Sequence, residues 1–209
     1  MNFSLKLSLA VIILSGIPVG CANAQTVAGK DLSTDKAVIA EMQKIVDAKS
    51  AEISKDDEKL EAKRKAASKL EAKDICIERL KESTKIIVIG FFRYDYGCHF
   101  EGAFINSRYF AADDADLSKT ALAALGWEKA LKKERERLAN LWVTKGLLAF
   151  SKVLYTKDKD FNGSEFQPPQ VVSKENGETV VTLWISFVRR KKEFGFVEYR
   201  FAKDGSDIW

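Results

Sequence analysis

Hydrophobic and polar positions change spacing several times along this chain, and each change marks an element. Leu7–Ile17 is almost uniformly apolar and ends at Pro18 and Gly20. From Ser33 to about Thr84 the spacing is helical, rich in Ala, Lys and Glu, with neither Gly nor Pro. Leu32, Ile39, Val46, Ile53 and Leu60 recur at seven-residue intervals. The companion seam of Met42, Lys49, Asp56, Lys63 and Leu70 is polar through its middle, whereas a two-seam coiled coil wants both positions apolar. Ser54, with Asp57 three residues on, supplies a fresh helix start. The pattern predicts two helices, roughly 33–53 and 55–82, forming a hairpin or a bent arm. Lys55–Lys65 reads as a solvated helix face laced with opposite charges.

At Lys85 the spacing shortens. Ile86-Ile87-Val88-Ile89 is a β-branched run too short for a helix, continued by Phe91-Phe92, and it predicts a buried strand. Asp95-Tyr96-Gly97 carries turn chemistry, and His99–Phe110 returns as a second strand with Phe100, Phe104 and Phe110 at even spacing. Asp116 or Ser118 caps a short helix through Leu125, and Gly126 interrupts. A further helix runs from Trp127 to about Lys145, where Lys145-Gly146 matches a left-handed glycine stop. Leu147–Thr156 then reads as a strand.

The last third is a meander. Phe166–Ser173 is an edge strand tolerating Pro168 and Pro169, and Asn176-Gly177 turns a hairpin. Thr179–Val188 alternates, with Val181, Leu183, Ile185 and Phe187 on one face and Trp184 opposite. Arg189–Glu193 turns the chain and Phe194–Ala202 returns. The order predicts an α+β fold. An N-terminal helical arm or hairpin comes first, then an antiparallel sheet of early hairpin plus C-terminal meander, packed with helices. Three segments follow: 1–24, a charged helical 25–84, and an α+β domain over 85–209.

Segment 1–24 reads as a secretory signal peptide. Lys6 gives the positive n-region, Leu7–Ile17 the apolar core, and Ala22-Asn23-Ala24 the small residues of a cleavage site before Gln25. At 14 residues, Leu7–Gly20 falls short of the roughly 20 a membrane span needs. Val19-Gly20-Cys21 offers an alternative, a lipid anchor on Cys21, with Pro18 in a position that motif keeps aliphatic. The expected destination is therefore the periplasm or the medium, with no transmembrane span once the leader is removed.

Cleavage after Ala24 would leave 185 residues with 33 basic and 30 acidic side chains, a balance that gives no argument for nucleic acid or a lipid surface. Two cysteines remain, Cys76 and Cys98. In an oxidising compartment a lone pair without Cys-x-x-Cys spacing predicts a disulfide, closing a 23-residue loop worth about 3 kcal/mol on a chain-entropy argument.

Candidate chemistry is sparse. Asp158, Asp160 and Asn162, followed by Gly163, resemble the first half of a calcium-binding loop. The second half departs from it, with Pro169 where a bidentate Glu belongs, so an ordinary turn is the preferred reading. Asn162-Gly163-Ser164 is also a glycosylation triplet. Arg189, Arg190, Lys191 and Lys192 place four cations at a hairpin tip; with Trp184, Tyr199 and Arg200 they form a candidate partner surface. His99 is the one imidazole in the chain, and Asp113, Asp114 and Asp116 could pair as carboxylates. No nucleophile elbow, phosphate loop or zinc motif accompanies them, and helix capping explains the acids. No motif calls for a cofactor. Trp209 mimics an outer-membrane barrel end, but Lys203, Gly205 and Asp207 occupy positions that should be apolar. The expectation is an exported, non-catalytic binding protein of the envelope: an inhibitor, an immunity-type protein or an adaptor, with a protein partner. An aromatic small-ligand pocket between helices and a curved sheet is the alternative, and a small hydrolase the remote one.

Overall fold

The computed structural model describes residues 31–53, 69–93, 97–151, 164–166, 168–187 and 193–208. They form an α+β fold of one arm helix, two short helices and two antiparallel sheets. The leader, Cys21, and the Asp158, Asp160, Asn162 and Arg189–Lys192 candidates lie outside these residues.

The arm helix α1 spans Asp35–Ile53. Its start is fixed locally: Thr34 Oγ1 accepts from the Ala37 amide at 3.2 Å, and Asp31 accepts from Ser33 at 2.9 Å. The predicted helix over 55–82 is not what its described part, from residue 69, forms. Glu71–Asp74 makes a turn closed by the Glu71 amide on Asp74 Oδ2, and Ile75–Arg79 is strand β1. Helix propensity is a weak prior there, and pairing overrides it. Ile75 and Ile77 pack toward α1, while Cys76 turns to the opposite face.

Strand β2 (Ile86–Arg93) pairs with β1, β3 (Gly97–Ile105) pairs with β2, and β4 (Arg108–Ala111) closes this first sheet. The predicted single strand His99–Phe110 is thus two. Asn106 and Ser107, at φ of 50° and 65°, form a two-residue left-handed turn between the paired Ile105 and Arg108. Phe104 and Phe110 consequently face opposite cores. Val88 and Ile89 are both fully buried, on opposite faces of β2. Each such side chain contributes about 1.5–3 kcal/mol, so the Ile-rich run ties two layers together.

On one face, Ile87, Ile89 and Phe104 pack under Val38 and Met42 of α1. On the other, Ile86, Val88, Ala103 and Phe110 meet a helical layer. That layer contains α2 (Leu117–Ala124), a tight 3-10 turn at Trp127–Lys129 and α3 (Lys132–Leu141), with the second sheet beyond it. The continuous helix predicted from Trp127 is broken at Ala130, whose backbone is extended. Asp116 occupies the cap position of α2 without a side-chain cap bond, and Ser118 lies buried inside the helix.

After α3 the chain widens into a π-helical turn, Trp142–Leu147, closed by the Leu148 amide on the Val143 carbonyl at 2.9 Å. Gly146 sits inside this turn and is not a left-handed stop; a Cβ there would lie 2.2 Å from the Trp142 ring. Its requirement is room for an indole. Of the predicted strand Leu147–Thr156, Leu147 ends the π-helical turn, Leu148–Phe150 forms turns, and residues 152–156 lie outside the described residues; Phe150 is buried against Gly90.

The second sheet centres on β7 (Thr179–Phe187). Two short strands, β5 (Ser164–Phe166) and β6 (Gln170–Ser173), pair in succession along one edge of β7, separated at Pro168-Pro169. This is the expected edge strand broken at its prolines, which cannot donate to a ladder. Strand β8 (Glu193–Phe201) pairs along the other edge. Gly177, at φ 87°, turns the hairpin between β6 and β7.

The Cys76–Cys98 disulfide is formed, with Cα atoms 6.3 Å apart. It joins the two strands that flank β2, rather than a helix end to a strand, because Cys76 belongs to β1.

Candidate functional site

Alternation along β7 sends Val181 and Leu183 into the core, at no more than 2% exposure, and places Thr182 and Trp184 on the other face, where Val180 is covered to 7% exposure. Register then builds three rows across the outer face. Val172, Val180 and Arg200 share one row, Gln170, Thr182 and Glu198 the next, and Trp184 and Phe196 the third. The C-terminal segment adds to the first row: Asp207 bridges to Phe201, and the Ile208 amide donates to the Arg200 carbonyl at 2.8 Å.

Among the described residues, six large hydrophobic side chains are exposed, and four of them lie on this face: Val172, Trp184, Phe196 and Ile208. The rings of Trp184 and Phe196 stand 5.4 Å apart, tilted by 53°. Aromatic pairs of this kind add about 0.5–1.5 kcal/mol beyond their buried area. Such a concentration of apolar groups marks an interaction surface more often than chance placement does.

The charges on this face are spent within it. Arg200 Nη2 lies 2.7 Å from Glu198 and its Nη1 3.9 Å from Glu178, while Lys174 Nζ is 3.0 Å from Glu178. The bond from Lys174 holds the Glu178 carboxyl below its usual range, and Glu198 keeps Arg200 firmly charged.

The structure separates the sequence-predicted surface residues. Trp184 and Arg200 share the outer face. Tyr199 belongs to the inner one, where burial first, then the Asp207 charge, pushes its hydroxyl up to about 12. Phe196, Val172 and Ile208 went unnoticed in the sequence. Their signal is pairing: strict alternation on β8 puts Phe196 opposite Trp184, which single-strand reading does not reveal.

The remaining candidates fall elsewhere. His99 is on β3, paired in register with Phe91. Asp113 and Asp114 sit in the turn after β4, where Asp114 accepts from the Asp116 amide at 2.9 Å, and Asp116 precedes α2. A turn-capping role accounts for Asp114. Among the described residues no group of three His, Cys, Asp or Glu side chains is placed to hold a metal ion, and no helix is long and apolar enough to cross a membrane.

Open surface clefts lie among the described residues. One, of about 410 Å³, is lined by Asp31, Arg79, Lys85, Asn106 and Ser107 with Ile87 and Phe104 beneath; Arg79 donates to the Leu32 carbonyl and to Asp35. The other, of about 500 Å³, runs along α1 beside Leu70. Between the helical layer and the sheets, Trp127, Trp142, Phe150 and Phe201 are buried in one core. Compared with known protein families, curated proteins and solved structures, this chain finds no match.

Proposed function

We propose that this is a non-catalytic binding protein of the cell envelope or extracellular space, an inhibitor, immunity-type protein or adaptor. Its partner docks on the outer face of the second sheet. One observation carries the reading: Val172, Trp184, Phe196 and Ile208 converge there while the opposite face of the same sheet packs on helices. Export is supported by the leader pattern of residues 1–24, and the Cys76–Cys98 disulfide is consistent with it. A protein partner fits because aromatic side chains, tryptophan above all, are the usual anchors of protein–protein contacts.

The test is a comparison of captures from envelope extract by the wild-type protein and a Trp184→Ala/Phe196→Ala variant, both checked for an unchanged melting curve. The reading expects a protein enriched by the wild type and lost from the variant. Equal enrichment by both, or none by either, overturns it.

A further inference from the structure

We propose that the tip Trp127–Lys133, where the helical layer turns into α3, docks on a lipid bilayer with anionic headgroups. The site is separate from the outer face of the second sheet and independent of what that face binds. Net charge is balanced along the chain, but its placement here is not. Leu131 is the most exposed large hydrophobic side chain among the described residues, at 82%. Lys129, Lys132 and Lys133 are exposed beside it, and none of the three has an ion-pair partner among the described residues. Each is at most two residues from Leu131, so their Cα atoms lie within about 7 Å of its own. The acids of the segment are engaged elsewhere. Glu134 is held by Arg137 at 2.7 Å, Glu136 accepts from the Ser173 amide at 3.1 Å, and the charge of Glu128 acts on Lys119.

The tip breaks helix chemistry in two ways at once. Leu131 occupies the cap position of α3 and makes no cap bond, where Ser, Asp or Asn would bond the free amides. Lys132 and Lys133 then bring positive charge to the positive end of the helix dipole, where acids are favoured. Neither choice serves the helix, and local rules broken together mark a place kept for a contact. The tip is also rigid. Trp127 is buried, and its indole N–H donates to the Lys203 carbonyl at 3.0 Å. The Ala130 amide donates to the Trp127 carbonyl at 3.1 Å, and the Arg135 amide to the Leu131 carbonyl at 2.9 Å. Leu131 therefore projects into solvent from a fixed turn.

The isolation of this apolar group decides the occupant. A protein contact is built around a continuous apolar core. Here the other exposed large hydrophobic side chains among the described residues lie on other elements: Phe92 on β2, and Val172, Trp184, Phe196 and Ile208 on the outer face of the second sheet. A bilayer asks for less. One aliphatic side chain enters the boundary between headgroups and acyl chains, while lysine stems lie along it and their ammonium groups reach the phosphates. Each such lysine strengthens binding to an anionic surface about fivefold. One leucine and three lysines make a weak, reversible contact, short of a stable anchor.

Co-sedimentation of the exported protein with vesicles tests this, using phosphatidylcholine and phosphatidylglycerol at roughly 2:1 and phosphatidylcholine alone. Every variant shares residues 1–30, so differences among them report the tip. The wild type is expected to bind the anionic vesicles, to leave them as salt rises, and not to bind the neutral ones. Lys132→Glu/Lys133→Glu lowers binding about twentyfold or more, and Leu131→Ser about threefold or more. Both variants place favoured residues at the start of α3, so both keep or exceed the wild-type melting temperature. Lys36→Glu/Lys49→Glu makes the same change of net charge on α1, across the first sheet from the helical layer, and lowers binding less than about threefold. Trp184→Ala/Phe196→Ala binds vesicles as the wild type does. No binding to anionic vesicles at about 10 mM lipid, equal binding to neutral ones, equal losses in the two charge-reversed variants, or indifference to Leu131→Ser overturns the inference. Loss of vesicle binding in Trp184→Ala/Phe196→Ala overturns it as well, and moves the lipid contact to the outer face of the second sheet.

Discussion

Replacing Gly146 with alanine places a methyl carbon 2.2 to 2.9 Å from three carbons of the six-membered ring of Trp142. Trp142 cannot step aside freely. It is fully buried, and its indole N–H donates to the buried Ser118 hydroxyl at 3.0 Å. Overpacking of this kind costs about 1–3 kcal/mol. For a chain of this size each kcal/mol moves the melting temperature by about 2–4 °C, so Gly146→Ala should melt about 2–12 °C lower. A left-handed glycine would also resist alanine, at about 1 kcal/mol, so the single variant does not separate the two causes. A double-mutant cycle does. Trp142→Phe removes Cε3 and Cζ3, the two ring carbons that the new methyl would strike hardest, so Gly146→Ala should cost at least 1 kcal/mol less in that background, measured by urea denaturation. An equal cost in both backgrounds would refute the steric account and return Gly146 to the role of a backbone stop.

Other consequences follow from the same contacts. Removing the disulfide by Cys76→Ala with Cys98→Ala should cost about 3 kcal/mol, some 6–12 °C, and reductant should bring the wild type to the variant's melting temperature and leave the variant unmoved. Burial raises the pKa of Asp207 above 3.8, with Ser118 opposing, so its favourable share of stability is full below pH 3.8 and is lost as pH rises through the folded value. Asp207→Asn should therefore gain on the wild type in melting temperature between pH 4 and pH 7; a constant difference would contradict this. Asp204 behaves in the opposite sense. Hydrogen bonds from Ser206, then Lys119, hold it down to about 2, so Asp204→Asn should be destabilising above pH 4 and converge on the wild type as the pH falls through 2.

Several elements were legible because one local force decides them. Ile86–Ile89 is β-branched and apolar on both faces, which only a strand between two layers satisfies. Val181, Leu183 and Trp184 alternate cleanly, and Asn176-Gly177 is a strong turn signal. The misreadings share a different origin, in decisions made by distant residues. Strand β1 lies in helix-favouring sequence and is fixed by pairing with β2 and by packing of Ile75 under α1. The Asn106-Ser107 turn lacks the glycine that usually marks such a bend, and the even spacing of Phe104 and Phe110 then suggested one continuous strand. Gly146 follows a lysine as a helix stop would, yet its role depends on Trp142, four residues earlier and buried. The candidate site was half legible for the same reason: Trp184 stands out on its own strand, while Phe196 and Ile208 join it only through register. Tyr199 and Arg200 are neighbours in sequence and face opposite ways in the sheet.

The central claim is that the outer face of the second sheet is where this protein binds. The most direct measurement is quantitative capture of envelope proteins by wild type and by Trp184→Ala/Phe196→Ala, compared band by band. The account predicts a partner enriched by the wild type and reduced at least tenfold in the folded variant. A partner captured equally by both would contradict it.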